Sequence, residues 1–318
     1  MTSADTPASP DSPPRVLAVV GPTAVGKTAV AEELAVRLGG EIVSADSMQV
    51  YRGMDIGTAK PAPAERRVKY HCLDLAEPGE AFSAALYQIA AREAISHIAG
   101  RGVLPVVAGG TGLYVRAALD SLEFPAGEQL GNAARARYEA IAAKRGPEAL
   151  HALLAERDPA SAAVVHANNV RRVVRALEMA DEGVSYAEQR EGFSARDSVY
   201  STRFIGLTMD RPRLYERIDA RVDAMVAAGL LDEVRELLGR GLREALTASQ
   251  AIGYKEFVPV IEGGVEIDTA VSEVKQASRR YAKRQLTWFA ADPRVRWIDV
   301  TELTISQAAE AAMGTLDW

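Results

Sequence analysis

Five apolar residues in a row, Val16 to Val20 (VLAVV), run directly into a glycine. An unbroken run of this length predicts a strand buried on both faces. Val30, Leu34 and Leu38 then recur at helical spacing until Gly39-Gly40, which predicts a helix with one apolar stripe. EIVSA (41–45) and VLPVVAGG (103–110) predict further strands, with a helix from about Ser83 to Ala99 between them. Strand and helix in alternation predict an α/β fold, a parallel sheet flanked by helices.

After Phe124-Pro125 the pattern changes. NAARARYEAIAAK, PEALHALLAERD and NNVRRVVRALEMA follow one another at helical spacing without a strand, which predicts an all-helical insertion domain over 123–202. RFIGLTMD (203–210) returns to strand character, and Asp210 and Pro212 are start signals for the helix LYERIDARVDAMVAAG. LLDEVRELLGRG, a long basic helix from about Thr269 to Phe289 and a last strand RVRWIDV complete the pattern. The core is therefore expected over 16–122 and 203–318, preceded by a Pro-rich tail, 1–15, expected to be disordered.

With 318 residues, 48% hydrophobic and 25% charged, the chain has the composition of a soluble globular protein. It has no apolar run of the ~18 residues a membrane helix needs, and residues 1–15 lack the apolar stretch of a secretory signal. The single cysteine, Cys72, excludes an intrachain disulfide and reads as a small apolar filler; no Cys/His cluster has zinc spacing. A cytoplasmic location and no membrane partner are expected. The net charge of -6 argues against nonspecific binding to nucleic acid, but the distribution of cations reverses that picture locally. Lys275, Arg279, Arg280, Lys283 and Arg284 crowd into ten residues without an acid, followed by Trp288 and Phe289, and the insertion carries Arg135, Arg171, Arg172 and Arg175.

The strongest chemical signal is GPTAVGKT: Gly21, Pro22, Thr23, Ala24, Val25, Gly26, Lys27 and Thr28. It sits between a predicted strand and helix, the required context for the loop G-x-x-x-x-G-K-[ST]. There backbone N–H groups wrap an anion, Lys27 adds a point charge, Thr28 reaches Mg²⁺ and the helix start adds its positive end. This predicts phosphate binding and leaves the reaction open. Asp46 lies just past the end of a predicted strand, the edge where ligands bind in open parallel sheets. On position alone it is a metal ligand, a general base or a turn cap.

Six blocks in order, GPTAVGKT, DSMQVYRGMDIGTAKP, GGTGLYVRAAL, RRVVRALE, QAIGYKE and AKRQLTWF, resemble the bacterial tRNA dimethylallyltransferases. The resemblance covers nearly everything after the tail. It implies a P-loop NTPase-like core and transfer of a dimethylallyl group from dimethylallyl diphosphate to the exocyclic amine of the adenosine 3′ of the anticodon, in tRNAs reading codons that begin with U. By this resemblance, Lys27 and Thr28 with Mg²⁺ grip the diphosphate and Arg221 adds charge opposite, with Arg217 one turn earlier given less weight. Asp46 takes the proton from the adenine amine. Asp46, Ser47, Met48, Gln49, Thr111, Arg135, Arg171, Arg172, Arg175, Lys255, Lys283 and Arg284 contact tRNA, the insertion meets the anticodon arm, and the protein acts as a monomer. Ala167 and Asn169 stand where the family usually has Pro and Asp, and Cys72 where a second His is common. Three alternatives share the loop: a small-molecule or nucleotide kinase, an adenylate isopentenyltransferase, and a non-catalytic RNA-binding protein.

Overall fold

The structure, a computed structural model, describes residues 13–124, 133–193 and 195–317. Residues 1–12 of the expected tail and Pro125 at the expected junction lie outside the described residues. The chain divides into two compact units: residues up to Asp120 with Ser198 onward, and Ser121–Asp197.

In the first unit six strands form one sheet: β1 (Arg15–Val20), β2 (Gly40–Ser44), β3 (Tyr70–His71), β4 (Leu104–Gly109), β5 (Ser201–Thr208) and β6 (Val295–Asp299). Their order is β3-β2-β4-β1-β5-β6, and every pairing is parallel. Arg15, the last residue of the expected tail, opens β1, and Ser201 and Thr202, at the end of the expected insertion, belong to β5. Val16 to Val20 are wholly buried, as an apolar run without alternation requires of a strand covered on both faces. The covering helices include α1 (Lys27–Leu38), α2 (Ala84–Ala99, capped by Ser83) and α3 (Gly112–Leu119). In chain order α4 (Ala133–Arg145), α5 (Pro147–Arg157), α6 (Pro159–Val164), α7 (Val170–Asp181) and α8 (Tyr186–Gly192) make up the second unit. The first unit then continues with α9 (Arg211–Ala227), α10 (Leu230–Leu238), α11 (Val258–Ile261), α12 (Ile267–Ala290) and α13 (Ile305–Met313).

The main core of the first unit joins Leu17 and Val19 of β1 to Val30 and Leu34 of α1, Ile205 and Leu207 of β5, and Ala308, Ala309 and Ala312 of α13. Because β1, β4 and β2 are adjacent, the loops leaving their carboxyl ends start within ~10 Å of one another. That adjacency brings the glycine-rich loop, the Gly109–Thr111 turn and Asp46 to one edge of the sheet.

Among its described residues the second unit is all-helical, with its own core of Tyr138, Leu150, Leu154, Val173, Val174 and Leu177. Asn169 caps α7 through its side chain, accepting from the Arg172 N–H, so the Asn that departs from the usual Asp keeps a competent cap.

Candidate active site

The glycine-rich loop leaves β1 at Gly21 and enters α1 at Lys27. Gly26 takes a left-handed φ of 102°, which turns the chain into the helix and which side chains resist. At Gly21 a Cβ would stand 2.5 Å from the Leu207 carbonyl oxygen, so β5 also demands glycine there. Inside the loop Lys27 Nζ donates to the Pro22 carbonyl at 2.6 Å. Burial, then the nearby Arg221 guanidinium, lower its pKa to about 7, against an opposing pull from Asp46. Thr28 is exposed on the first turn of α1.

Arg221 projects from α9 and donates to the Thr58 carbonyl at 3.2 Å; burial pulls its pKa down and Asp46 pulls it up. Neither Lys27 nor Arg221 has a carboxylate within ion-pair distance among the described residues. Arg217 is exposed, with a guanidinium nitrogen 3.7 Å from where a Cβ of Gly26 would be.

Asp46 follows β2 after one residue, half-buried, and its Oδ1 accepts the Met48 N–H at 2.9 Å in a local turn. Thr111 caps the entry to α3, and its hydroxyl accepts the Ser47 N–H at 3.1 Å. Gln49 is buried: Oε1 accepts from the Ser44 hydroxyl and Nε2 donates to the Thr58 carbonyl. The rest of DSMQVYRGMDIGTAKP is a scaffold. The N–H groups of Asp55, Ile56 and Gly57 all donate to the Glu233 carboxylate of α10, which also accepts from Tyr254 Oη at 2.6 Å. Lys60 is buried with its ammonium on Asp55 Oδ1, Asp74 Oδ1 and the Tyr51 carbonyl.

Asp46, Ser47 and Arg221 border a cavity of about 360 Å³ whose remaining wall includes Ile218, Val222, Met225 and Val274 from α9 and α12. Lys255, Arg280 and Arg284 reach its rim. The basic run on α12 divides in two. Lys275 pairs with Asp223 at 2.6 Å and Arg279 with Asp219, which fastens α12 to α9. Arg280, Lys283 and Arg284 are exposed and have no ion-pair partner among the described residues, while the Arg284 guanidinium lies over the Tyr281 ring. Phe289 is core; Trp288 is exposed, its indole packed over Gly112.

In the second unit Arg135 forks onto the buried Glu178 at 3.0 and 2.9 Å, and Arg175 approaches the same carboxylate at 3.7 Å. Arg171 and Arg172 are exposed, with no ion pair among the described residues. Cys72 is buried at a positive φ of 61°, its thiol pushed up to about 12 by burial, so it is no nucleophile. Sequence patterns had not marked out Glu233, Tyr254, Tyr281 or Gln285. The last three lie in or beside the quoted blocks, where Tyr254 and Gln285 are buried and Tyr281 is half-buried.

A phosphate loop at the carboxyl edge of a parallel sheet makes this a P-loop NTPase-like protein, yet its cavity is walled by aliphatic side chains and a lone acid. Comparison with known proteins gives the family. Residues 49–292 match the family of IPP transferases and residues 14–70 the isopentenyl transferases. The chain belongs to the IPP transferase family. It is 49% identical over 290 residues to a tRNA dimethylallyltransferase of Geobacillus kaustophilus, covering 91% of each chain. Among solved structures, the full-length tRNA isopentenylpyrophosphate transferase of Bacillus halodurans superposes with a TM-score of 0.68 at 43% identity, over 94% of this chain and 96% of that one. A eukaryotic dimethylallyltransferase acting on tRNA gives 0.77 at 26% identity, over 95% and 77%.

Proposed function

We propose that the chain transfers a dimethylallyl group from dimethylallyl diphosphate to the exocyclic amine of the adenosine 3′ of the anticodon, in tRNAs reading codons that begin with U. The products are N6-isopentenyladenosine and diphosphate. One observation carries the reading: a single cavity joins Arg221 and Thr23 of the glycine-rich loop, a lone carboxylate and the aliphatic wall of Ile218, Val222, Met225 and Val274, and the charge of Arg221 is felt by Lys27 inside the loop. A kinase has no use for that wall, and the exposed cations on α12 suit a nucleic-acid acceptor. The relatives' names, tRNA dimethylallyltransferase and tRNA isopentenylpyrophosphate transferase, support it.

In the reaction the amine nitrogen attacks the first carbon of the donor as the bond from that carbon to the diphosphate oxygen breaks. Charge grows on the departing oxygen, and the loop N–H groups, Lys27 and Arg221 meet it in a partly desolvated site, where fixed charges act strongly. Asp46 orients the amine and accepts its proton. The adenine must leave the anticodon stack to arrive there, and the two polar loops carrying Ser47 and Thr111 offer it hydrogen-bonding edges.

The exposed Thr28 hydroxyl in the first turn of α1 suits Mg²⁺, an ion commonly bound by few protein oxygens together with phosphate and water. Among the described residues no group of three or more His, Cys, Asp or Glu side chains gathers to hold a metal without such help. Bound there, Mg²⁺ would neutralise diphosphate charge.

One chain supplies every group named, so the protein is taken to act as a monomer, in the cytoplasm where its tRNA substrates are. Among the described residues no helix is long and apolar enough to cross a membrane. The test is mass analysis of nucleosides from tRNA incubated with the protein, Mg²⁺ and dimethylallyl diphosphate. A five-carbon addition on the adenosine beside the anticodon is expected. Prenylation of AMP but not of tRNA would assign the chain to adenylate prenylation instead.

A further inference from the structure

Gln285, on α12, is 5% exposed and makes two hydrogen bonds to parts of the chain far away in sequence. Its Oε1 accepts the Thr23 N–H of the glycine-rich loop at 2.7 Å, and its Nε2 donates to the Gly110 carbonyl at 2.9 Å. Gly110 is the residue before Thr111, whose N–H donates to the Ala45 carbonyl at 3.2 Å and whose hydroxyl accepts from Ser47. Those two residues flank Asp46. One amide therefore joins the loop for the donor's diphosphate to the Gly110–Thr111 turn, which holds the residues on either side of Asp46.

The local geometry is built around that amide. A Cβ at Gly110 would stand 2.1 Å from Gln285 Nε2, so a hydrogen at position 110 is what lets the amide in. Neutral glutamine supplies an acceptor and a donor from the same plane, which the two backbone partners require. Methionine keeps the length and offers neither; ionised glutamate keeps the acceptor and sets a second oxygen against the Gly110 carbonyl.

We propose that Gln285 is a positioning residue for prenyl transfer, holding the donor loop and the acceptor turn at the separation the displacement needs. The inference rests on the transferase reading. Displacement at carbon needs its reacting atoms ~3–3.5 Å apart, and a shift of ~1 Å costs about a hundredfold in rate. Each substrate alone still finds its own loop, so the loss falls on the chemical step and not on binding.

The experiment is single-turnover transfer at saturating tRNA and dimethylallyl diphosphate, with the affinity for each substrate measured separately. Activity in the unaltered protein tests the transferase reading by itself, so failure there is distinct from failure of this inference. In Gln285→Met the saturated rate is expected to fall about 10- to 100-fold, with both affinities kept within about threefold. An unchanged saturated rate, or a fall seen only as weaker donor binding, overturns the proposal. Gln285→Glu is the second variant. Protonation of the new carboxyl restores a donor toward Gly110, so its rate relative to the unaltered protein at each pH should climb as pH falls. A ratio flat with pH counts against positioning, as does failure of both variants to fold, which would make the amide a core hydrogen bond only.

Discussion

The core of the helical unit and the glycine-rich loop with α9 handle charge in opposite ways. In the helical unit charges meet opposite charges: the buried Glu178 sits between Arg135 and Arg175, and Asp181 receives Arg137, Arg157 and the Tyr138 hydroxyl. Around the glycine-rich loop of the first unit Lys27 and Arg221 face each other's charge, and each falls back on a backbone carbonyl. Burial and mutual repulsion depress the lysine, and burial depresses the arginine. The paired charges stabilise a fold. The unpaired ones raise the energy of the free protein and would be relieved by an anion, which is the ground for assigning them to a ligand in the proposed function.

Replacing Arg221 separates the two arrangements of charge most sharply. Arg221→Met should lower saturated prenyl transfer by about 10²- to 10³-fold, as loss of a group facing developing negative charge does. Its thermal midpoint should stay level or rise, because a desolvated cation without a carboxylate has been removed. A clear drop in the midpoint would make Arg221 structural. Asp46→Asn should cost about a hundredfold or more in turnover with tRNA affinity largely intact; near-normal turnover removes Asp46 from catalysis. On the other side, Glu178→Ala leaves Arg135 and Arg175 facing a vacated site and should cost about 3 kcal/mol in denaturant unfolding. A change under about 0.5 kcal/mol would mean that this network holds little.

Smaller effects sharpen the contrast between paired and unpaired cations on α12. Replacing Arg280 and Arg284 by Ala should weaken tRNA binding and flatten its log-log salt dependence by about one for each phosphate no longer neutralised. Lys275→Ala, which breaks only the pair with Asp223, should leave that slope unchanged. The last effect is a proton. Lys27 is largely neutral above pH 7 in the free protein and must be charged beside an anion. Between about 7 and the ordinary lysine value of 10.5, inorganic diphosphate binding should therefore take up as much as one proton more than in Lys27→Arg, and should weaken as pH rises. Calorimetry in buffers of different ionisation heat reads this directly, and equal proton balance in the two proteins would contradict it.

The elements legible in the sequence are those with a local cause. The buried strands announce themselves as apolar runs, α1 by its stripe and glycine stop, and the long helix α12 by periodicity that stretches from Ile267 to Ala290, a little beyond its expected ends. β3 was not legible, since two residues, Tyr70 and His71, carry no period. The start of α13 was written in Thr304 and Gln307, which form a capping box, although no apolar run drew attention to it. In the site the loop, Asp46 and Thr111 could be read from motif and strand end. Glu233, which gathers three N–H groups of the Asp55–Gly57 turn, could not, because in LLDEVRELL it looks like any acid on a helix surface. The same holds for the division of the basic helix, which depends on Asp219 and Asp223 of a different helix.

On the proposed function, the unpaired cations of the glycine-rich loop and α9 take the diphosphate of a prenyl donor, not the phosphates of a nucleotide. The most direct measurement offers tRNA, Mg²⁺ and either dimethylallyl diphosphate or ATP to the protein, and follows the isoprenoid, the terminal phosphate and the released diphosphate together. One diphosphate released for each isoprenoid bound to RNA, and no transfer from ATP, is the expected result. Transfer of the terminal phosphate with no isoprenoid reaching the RNA would contradict it.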